Sequence, residues 1–437
     1  MSDAKVLLWD SEIGAVSWVE DRQIAVFQYD PSFIRSGIQL SPLMMPLRDL
    51  PYEFPALSKE TFKGLPGLLA DSLPDKFGNA VIDTWLATQG RTAASFNSVE
   101  RLCYIGSRGM GGLEFKPVLR ISHSKSDEIE VSKLVELSNK ILDQRAGLAG
   151  VFSGTDDRDA IEDILRVGTS AGGARAKAIL AWNPKTNEFR SGQVKIPSGF
   201  EYWIMKFDGV SNNRDKELSD PQGYGMIEYA YYQLAVKAGI EMTECRLHHE
   251  GGRSHFMTKR FDRNADGSKI HMQSLCALAH VDFNEPALYS YEQTIQTMKR
   301  LRLSQSDLEQ QVLRAMFNVV GRNHDDHVKN IAFLMNRRGE WRLSPAFDVS
   351  YAYDPKGYWT SQHQMSINGK REMFTKQDLL SLAKIVGIKS NRALEMLDRV
   401  ITTMKSWPEV AVNIGIDENR IRQIQAAHRL SLLDTQE

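Results

Sequence analysis

Three separated pieces of the sequence hold residue types suited to phosphoryl transfer. Asp325 and Asn330 stand in a D-x-x-x-x-N spacing, Asp348 follows downstream, and Lys206 lies well upstream. A carboxylate within hydrogen-bond reach activates a hydroxyl nucleophile, and Mg²⁺ on oxygen ligands holds a triphosphate and offsets its charge. A short loop can present Asp325 and Asn330 to both groups. ATP chemistry is therefore the leading interpretation.

A β-hairpin over residues 331–343 is predicted to bring Asp348 back beside Asn330. Strand-like apolar runs flank a glycine-containing turn in this segment. Protein kinases use the same D-x-x-x-x-N spacing for a catalytic base and a Mg²⁺ ligand, with a second metal-binding Asp further along. In the alternative interpretation, Asp325, Asp326 and Asn330 only cap a helix and solvate a loop.

The apolar run at residues 201–207 predicts a buried strand that contains Lys206. An unpaired ammonium there costs several kcal/mol, roughly, so a phosphate of ATP or a helix carboxylate is implied as its partner. Glu228, early in a helix predicted over 224–238, is the candidate carboxylate. The alternative is that Lys206 sits at a sheet edge and extends to water.

A glycine-rich loop spans residues 167–177. Backbone amides of small residues approach phosphate oxygens closely, and a nearby cation adds charge. The loop alternatively forms a plain turn before a strand. A second glycine-rich stretch, 106–112, matches neither common phosphate-loop motif and predicts a structural turn. The loop residues expected to contact ATP are Gly172, Gly173, Ala174, Arg175 and Lys177.

Composition predicts a large globular enzyme. The chain has 437 residues, 42% of them hydrophobic, which is enough for two or three domains. Its 54 Lys and Arg balance 55 Asp and Glu, so charge alone does not indicate nucleic-acid binding. Three scattered cysteines disfavour a disulfide framework or structural zinc. Without a long apolar run, a cytoplasmic protein with no membrane contact is expected.

The organisation of the chain changes twice. Short apolar runs over residues 4–29 predict a small antiparallel sheet, and a polar stretch near 125 marks a boundary. After about residue 261 the pattern is mostly helical apart from the hairpin. The predicted domains are therefore 1–125, 126–260 and 261–437.

In their order along the chain, these pieces resemble the HipA-like toxin kinases of bacterial toxin–antitoxin modules. The resemblance extends over about residues 4–400, so it includes the N-terminal part. The glycine-rich loop departs from the better-known pattern, with Gly-Gly-Ala-Arg-Ala-Lys in place of Ala-Gly-Ala-Gln-Glu-Lys. The segments that carry it are 71–75, 108–115, 170–177, Ile204–Phe207, Lys259–Arg263, Asp325–Asn330 and Ser344–Asp348.

The resemblance implies roles for the residues at the presumed centre. Asp325 would be the catalytic base, Asn330 and Asp348 would hold Mg²⁺, and Lys206 would contact the phosphates of ATP. Lys329, in the same motif as Asn330, would belong to the ATP site.

The resemblance also implies a hinge and a switch. The backbone of Lys259–Phe261 would meet adenine. Ser170 would be autophosphorylated, which ejects the glycine-rich loop and inactivates the kinase. An aminoacyl-tRNA synthetase would be the substrate, and a HipB-like DNA-binding antitoxin the partner, with DNA contacted mainly through that complex.

The expected fold is α+β: a bilobal protein-kinase-like fold with an extra small β-rich N-terminal subdomain and a mostly helical C-terminal lobe. The expected activity is that of an ATP- and Mg²⁺-dependent Ser/Thr protein kinase. Two other readings stay open. His324–His327 is a possible metal cluster of a phosphohydrolase. Alternatively, the chain is a silent co-repressor that only grips its DNA-binding partner.

Overall fold

The computed structural model describes residues 2–74, 76–119, 129–143, 175–210 and 223–432. Four predicted site residues lie outside the described residues, namely Ser170, Gly172, Gly173 and Ala174. The other predicted site residues lie within them.

The N-terminal domain, residues 2–119, is built on a four-stranded antiparallel sheet in the order β3-β2-β1-β4. The sheet expected over residues 4–29 is thus confirmed, and a distant fourth strand joins it beside β1. Its strands are β1 (Asp3–Leu8), β2 (Ser11–Val19), β3 (Ile24–Tyr29) and β4 (Leu113–Lys116).

Helices of the N-terminal domain pack on this sheet, and α5 contacts β1, β2 and β4. Asn97 begins α5 through a capping box with Glu100, in which each side chain accepts from the other residue's backbone N–H. The glycine-rich stretch 106–112 is the turn from α5 into β4, as predicted. The helices are α1 (Pro31–Ile34), α2 (Lys59–Phe62), α3 (Gly67–Ala70), α4 (Lys76–Thr88) and α5 (Ser98–Ile105), with a 3₁₀ turn at Ala93–Ser95.

The small lobe contains a five-stranded antiparallel sheet in the order β6-β5-β7-β9-β8, with α7 packed on β8 and β9. The alternative placed Lys206 at a sheet edge. It is wrong, because β7 lies inside the sheet, between β5 and β9. Lys177 lies directly opposite Lys206 in the β5–β7 register. The elements are α6 (Val131–Asp143), β5 (Lys177–Trp182), β6 (Phe189–Ser191), β7 (Glu201–Lys206), α7 (Tyr224–Ala238), β8 (Cys245–Glu250) and β9 (Arg253–Lys259).

Helix α7 is fixed at both ends. Asp208 accepts from the backbone N–H of Gly223, just before the helix, at 2.8 Å and from that of Ser254 on β9 at 3.3 Å. Gly239 ends the helix in the left-handed conformation, with φ 95°. Glu228 therefore lies in the second turn of a helix whose position against the sheet is set.

The C-terminal lobe is mostly helical and carries a three-stranded antiparallel sheet, β10-β11-β12. The hairpin expected over 331–343 is confirmed, but β10 was not predicted. The elements are β10 (His271–Ser274), α8 (Leu275–Ala279), α9 (Tyr291–Arg300), α10 (Gln305–Gly321), a 3₁₀ turn (Val328–Asn330), β11 (Ala332–Met335), β12 (Trp341–Leu343), α11 (Lys376–Ile385), α12 (Ser390–Lys405), α13 (Trp407–Ile414) and α14 (Glu418–Ala427).

Two apolar cores hold these parts together. One is shared by the N-terminal domain and the small-lobe sheet, and the other joins α7 to the C-terminal lobe. Helix α7 thus links the sheet that carries Lys206 to the lobe that carries Asp325. Across the described ranges, no helix combines the length and apolar character needed to cross a bilayer.

A buried ion cluster ties the N-terminal domain to the end of β9. The carboxylate of Asp262 accepts from Arg260 at 2.7 and 2.8 Å and from Arg263 at 2.8 Å. The backbone N–H of Gly111, in the turn before β4, donates to the same carboxylate at 2.7 Å. Arg263 also donates to the carbonyl of Gly109 at 2.8 Å. The predicted hinge is thereby anchored on the N-terminal domain.

Candidate active site

The loop that carries the predicted base follows α10. Arg322 caps that helix in the left-handed conformation, with φ 57°. The chain then turns outward and leaves the Asp325 side chain 45% exposed. Nδ2 of Asn330 donates to the backbone carbonyl of Asp325 at 2.8 Å. This bond closes the loop and leaves the amide oxygen of Asn330 as an acceptor.

The carboxylate of Asp325 is also contacted from outside this loop. Nε1 of Trp359 donates to its Oδ1 at 2.9 Å. Nε2 of His327 lies 3.6 Å from the same oxygen. Asp325 thus has one oxygen held by an indole, in a position still open to solvent.

Asp326, the next residue, is buried and serves the architecture of the site. Tyr291 donates its hydroxyl to Oδ2 at 2.8 Å, Nδ1 of His363 lies 2.8 Å from that oxygen, and the backbone N–H of Gln364 donates to Oδ1 at 2.7 Å. Burial raises the pKa of Asp326 to about 7, although the bonds from Tyr291 and Gln364 favour the charged form. Asp326 therefore fastens residues 363–364 to the catalytic loop.

Lys206 lies between two carboxylates. Its ammonium donates to Glu228 on α7 and to Asp348. Nη1 of Arg175 lies 3.3 Å from the second oxygen of Glu228. The predicted pairing of Lys206 with Glu228 is confirmed, and Asp348 joins it.

The cations of this cluster lie beside two carboxylates. Arg175 and Lys206 both contact Glu228, and Lys206 also contacts Asp348. Lys177 lies opposite Lys206 on the neighbouring strand. Burial disfavours a charge on Asp348, but the ammonium groups of Lys206 and Lys177 outweigh it and hold its pKa well below the usual range. Burial would lower the pKa of Lys206, yet Asp348 and Glu228 raise it. Cationic groups at this position are complementary to a phosphate.

The backbone places Asp348 in this cluster. The residues before it leave β12 and pair with the end of the small lobe, where the N–H of Ala346 donates to the carbonyl of Glu241 at 2.8 Å. The Phe347 ring lies 5.7 Å from the Phe261 ring. Asp348 itself is left-handed, with φ 53°, a conformation that Asp tolerates better than most residues.

Asp325, Asn330 and Asp348 line one cavity, whose volume is about 30 Å³. That is roughly the space of one water molecule. The amide oxygen of Asn330 and the carboxylate of Asp348 are the hard donors that Mg²⁺ prefers, so these residues fit the ion. A larger cavity, about 670 Å³, lies between the N-terminal domain and β6, and none of the predicted site residues lines it.

Family models match most of the chain. The model of the HipA-like C-terminal domain matches residues 169–407, and that of the HipA N-terminal domain matches residues 4–116. The first match alone spans more than half of the sequence. The chain belongs to the HipA family.

One solved structure shares the fold of this chain over nearly its whole length. HipA from the Shewanella oneidensis MR-1 complex of HipA, HipB and operator DNA is similar at 18% identity, with a TM-score of 0.67, over 97% of this chain and 95% of that one. This likeness confirms the expected α+β, bilobal kinase-like fold with its N-terminal subdomain. The Helicobacter pylori proinflammatory kinase CtkA covers 54% of this chain and 88% of its own at 13% identity, with a TM-score of 0.33, which supports no conclusion. No curated protein matches the chain.

The predicted hinge of this HipA-family chain has its polar groups partly engaged. The ammonium of Lys259 donates to the carboxylate of Glu201 at 2.6 Å. It is therefore not directed into the cluster around Lys206. The backbone N–H of Lys259 donates to Glu244, and that of Arg260 to Tyr202, each at 2.9 Å. Contact of this segment with adenine stays a prediction.

Lys329 faces the N-terminal domain rather than the Lys206 cluster. Its ammonium lies 5.0 Å from the centre of the Phe283 ring. Burial raises the pKa of Asp71, and the charge of Lys329 opposes part of that rise. The predicted contact of Lys329 with ATP remains a prediction.

The phosphohydrolase alternative finds no support in the described ranges. No three His, Cys, Asp or Glu side chains there are grouped to hold a metal ion. Nδ1 of His324 lies 2.9 Å from the carbonyl of Thr360, and Asp326 binds Tyr291 and His363 instead. The His-Asp-Asp-His residues thus serve several partners, not one centre.

The residues that contact the Asp325–Asp326 loop from other parts of the chain were not predicted from the sequence. Trp359, His363 and Gln364 lie in an irregular segment after Asp348, where no periodic pattern marks a position. Tyr291 is the first residue of α9 and looks like an ordinary core aromatic. The pair of acidic residues at 325–326 was the available signal, because a second buried carboxylate demands donors.

Proposed function

We propose that this chain is an ATP- and Mg²⁺-dependent Ser/Thr protein kinase and the toxin of a toxin–antitoxin module. One observation carries the proposal: Asp325, Asn330 and Asp348 line a single cavity, and Lys206 contacts Asp348 there. Base, metal ligands and phosphate-binding cations are the parts that phosphoryl transfer requires. Membership of the HipA family supports the same activity.

In the proposed reaction, the bond from the γ-phosphorus to the oxygen of ADP breaks as the acceptor hydroxyl oxygen bonds to phosphorus. Asp325 accepts the hydroxyl proton. Lys206 and Lys177 hold the phosphate oxygens, and Glu228 keeps Lys206 in place. Mg²⁺, when bound by Asn330 and Asp348, supplies charge that offsets the triphosphate.

Self-inactivation at Ser170 belongs to the same proposal. A phosphoryl group adds roughly −1.5 to −2 charges at neutral pH. Next to Gly172 and Gly173, where the phosphates of ATP are expected, this charge repels nucleotide. Thr169 is the competing acceptor. The modified form is therefore expected to lose ATP binding.

The partners are proposed by analogy. The Shewanella HipA structure contains HipB and operator DNA. We expect this chain to bind a HipB-like antitoxin and to reach DNA mainly through that complex. An aminoacyl-tRNA synthetase is the proposed substrate, as the family resemblance implies, and the cytoplasm the proposed location. The rival function is a silent co-repressor, which would bind the antitoxin but turn over no ATP.

A phosphoproteomic comparison tests the function. Cells expressing the wild-type chain should show a new phosphoprotein and phosphate on Ser170, and cells expressing Asp325→Asn, Asn330→Ala or Asp348→Asn should show neither. Asp398→Asn, which alters an exposed carboxylate on α12, is the matched control and should behave as wild type. Purified, folded Asp325→Asn that consumes ATP normally would refute the kinase assignment. Wild-type protein that binds antitoxin but transfers no phosphate would favour the co-repressor.

A further inference from the structure

One residue that no sequence motif marks makes direct contact with the predicted base. Trp359 donates its indole N–H to Oδ1 of Asp325 at 2.9 Å. An indole nitrogen is only a donor, so this bond is directed at an acceptor and cannot reverse. The ring also lies 6.2 Å from the ring of His327, on the same loop as the base. Trp359 thus contacts the loop in two places.

The segment that carries Trp359 is itself fastened to the catalytic loop. The carbonyl of Thr360 lies 2.9 Å from Nδ1 of His324, and Gln364 donates its backbone N–H to Asp326 at 2.7 Å. The side chain of Gln364 reaches back to the carbonyl of Trp359. These bonds lie on both sides of Asp325 in sequence, so the indole is fixed relative to the base and not merely near it.

The outer side of this segment is open. Tyr358 is 85% exposed, the most exposed of the large hydrophobic side chains in the described ranges. Its neighbour Trp359 is half-buried. The segment therefore contacts Asp325 on its inner side and is exposed on its outer side. We expect the acceptor chain to approach from this exposed side.

We propose that Trp359 is a positioning residue for phosphoryl transfer, holding one oxygen of Asp325 so that the other faces the acceptor hydroxyl. This role rests on the proposed kinase function. A carboxylate that is free to rotate spends less time with an oxygen in line with the hydroxyl, and a misplacement of about 1 Å can cost on the order of 100-fold in rate. The proposed phosphate-binding cations, Lys177 and Lys206, lie in the small lobe, and Trp359 contacts the base rather than either of them, so Trp359→Phe should change nucleotide affinity little.

The test removes the indole N–H and keeps an aromatic ring. Trp359→Phe should lower the rate constant of self-phosphorylation at saturating Mg-ATP by about 10- to 100-fold, with half-saturation by ATP unchanged within about twofold. Trp359→His, whose ring keeps an N–H, should be faster than Trp359→Phe. The matched control is Trp18→Phe, which removes an indole bond to a carboxylate, Glu20, at the same 2.9 Å but in the N-terminal sheet. It should leave the rate unchanged.

A double mutant separates positioning from a merely structural role. Asp325→Glu keeps a carboxylate in an altered position and should leave a reduced but measurable rate. If Trp359 acts through the base, adding Trp359→Phe to Asp325→Glu should lower that rate by less than it lowers the rate of the wild type, whereas independent effects would multiply. An active wild-type protein with an equally active Trp359→Phe variant overturns this inference alone. Multiplied losses in the double mutant, or a raised half-saturation by ATP, overturn it too. A wild-type protein with no phosphotransfer overturns the proposed function instead.

Discussion

At the scale of single residues, Lys206 is the centre of the site because it contacts a carboxylate from each lobe. Its side chain is 11% exposed and that of Glu228 only 3%, so neither charge is solvated. The contact with Asp348 occupies the carboxylate that Mg²⁺ is expected to use. Under the proposed function, ATP and Mg²⁺ are therefore expected to compete with this contact, while Glu228 keeps its bond to the ammonium.

Lys206→Ala should weaken both ATP binding and stability. A charge-assisted contact to phosphate is lost, and the buried Glu228 and the partly exposed Asp348 lose a shared partner; breaking a buried pair typically costs about 3–5 kcal/mol. Arg175 still pairs with Glu228 at 3.3 Å, so the lower end is expected.

Calorimetry with an ATP analogue and urea unfolding measure the two effects. Lys5→Ala is the control, because its exposed pair with Glu12 in the N-terminal sheet should contribute little to stability. Unchanged ATP affinity in Lys206→Ala would reduce Lys206 to a structural residue.

Asp326 should make stability depend on pH. Its pKa is raised from 3.8 to about 7, so folding takes up a proton between those values. Its contribution to the free energy of unfolding therefore falls as pH rises through that window, by at most about 4 kcal/mol.

The Asp326→Asn variant has no carboxyl group to titrate at this position. Its free energy of unfolding should therefore increase relative to that of the wild type as pH rises from about 4 to 7. Urea unfolding at several pH values measures the difference, which cancels the titration of distant groups. The neighbouring Tyr291, His363 and Arg371 remain in both proteins. Parallel curves for the two proteins would mean that Asp326 keeps an ordinary pKa.

An ion pair could be predicted where a charged residue in an apolar stretch needs an opposite charge. Lys206 in an apolar strand required a counter-ion, and the helix at 224–238 offered Glu228. The link from Trp359 to Asp325 had no such local signature, because an indole is stable in a core without any acceptor nearby. Its partner is set only when the irregular segment folds back on the loop.

At the scale of elements, α7 is the part whose placement matters most for the site. It packs on β8 and β9 and carries Glu228 to Lys206. Gly225 permits this close approach: a Cβ there would lie 2.2 Å from the carbonyl oxygen of Ser254 on β9. A backbone atom cannot rotate away, so any side chain at 225 must push the helix off the sheet.

Gly225→Ala should therefore lower both stability and phosphotransfer. Overpacking of this kind typically costs about 1–3 kcal/mol, and a shifted α7 carries Glu228 away from Lys206. Thermal unfolding and the self-phosphorylation rate are the measurements. Gly109→Ala is the control, because a Cβ there meets its nearest atom, in Ile105, only at 3.3 Å. Loss of stability with an undiminished rate would show that the position of α7 does not govern the site.

Elements bounded by a turn-forming glycine could be predicted from the sequence. Gly239 marks the end of α7, and the turn at Gly339 marks the hairpin, so both agree with the structure. Strand β10 was missed because His271–Ser274 is short and mostly polar, with no strong strand formers. It becomes a strand by pairing with β11, a tertiary contact. The long segment from β12 to α11 is likewise positioned by tertiary contacts, and its sequence has neither helical nor strand periodicity.

At the scale of the whole molecule, the N-terminal domain is coupled to the kinase-like part through Asp262. The predicted hinge runs from β9 into this residue, which the turn at Gly111 contacts directly. Burial would raise the pKa of Asp262, but Arg260 and Arg263 outweigh it and hold the pKa well below the usual range. The carboxylate therefore stays charged at neutral pH and joins two distant chain segments, residues 260–263 and the turn at Gly111.

Asp262→Asn should loosen the N-terminal domain and disturb the hinge together. Removing the charge leaves the buried guanidinium groups of Arg260 and Arg263 without their counter-ion, and breaking such a cluster typically costs about 3–5 kcal/mol. Urea unfolding followed by tryptophan fluorescence should show an earlier transition, and half-saturation by ATP should rise because Arg260 lies in the predicted hinge.

Because the pKa of Asp262 is depressed, its stabilisation is present at neutral pH and is lost as pH falls below about 4. The gap between the wild type and Asp262→Asn should narrow in acid accordingly. Asp398→Asn, which alters the exposed carboxylate on α12, is the control and should unfold as the wild type does. An Asp262→Asn protein with reduced stability but normal half-saturation by ATP would show that the N-terminal domain stabilises the chain without influencing the hinge. A variant as stable as the wild type at pH 7 would contradict the coupling altogether.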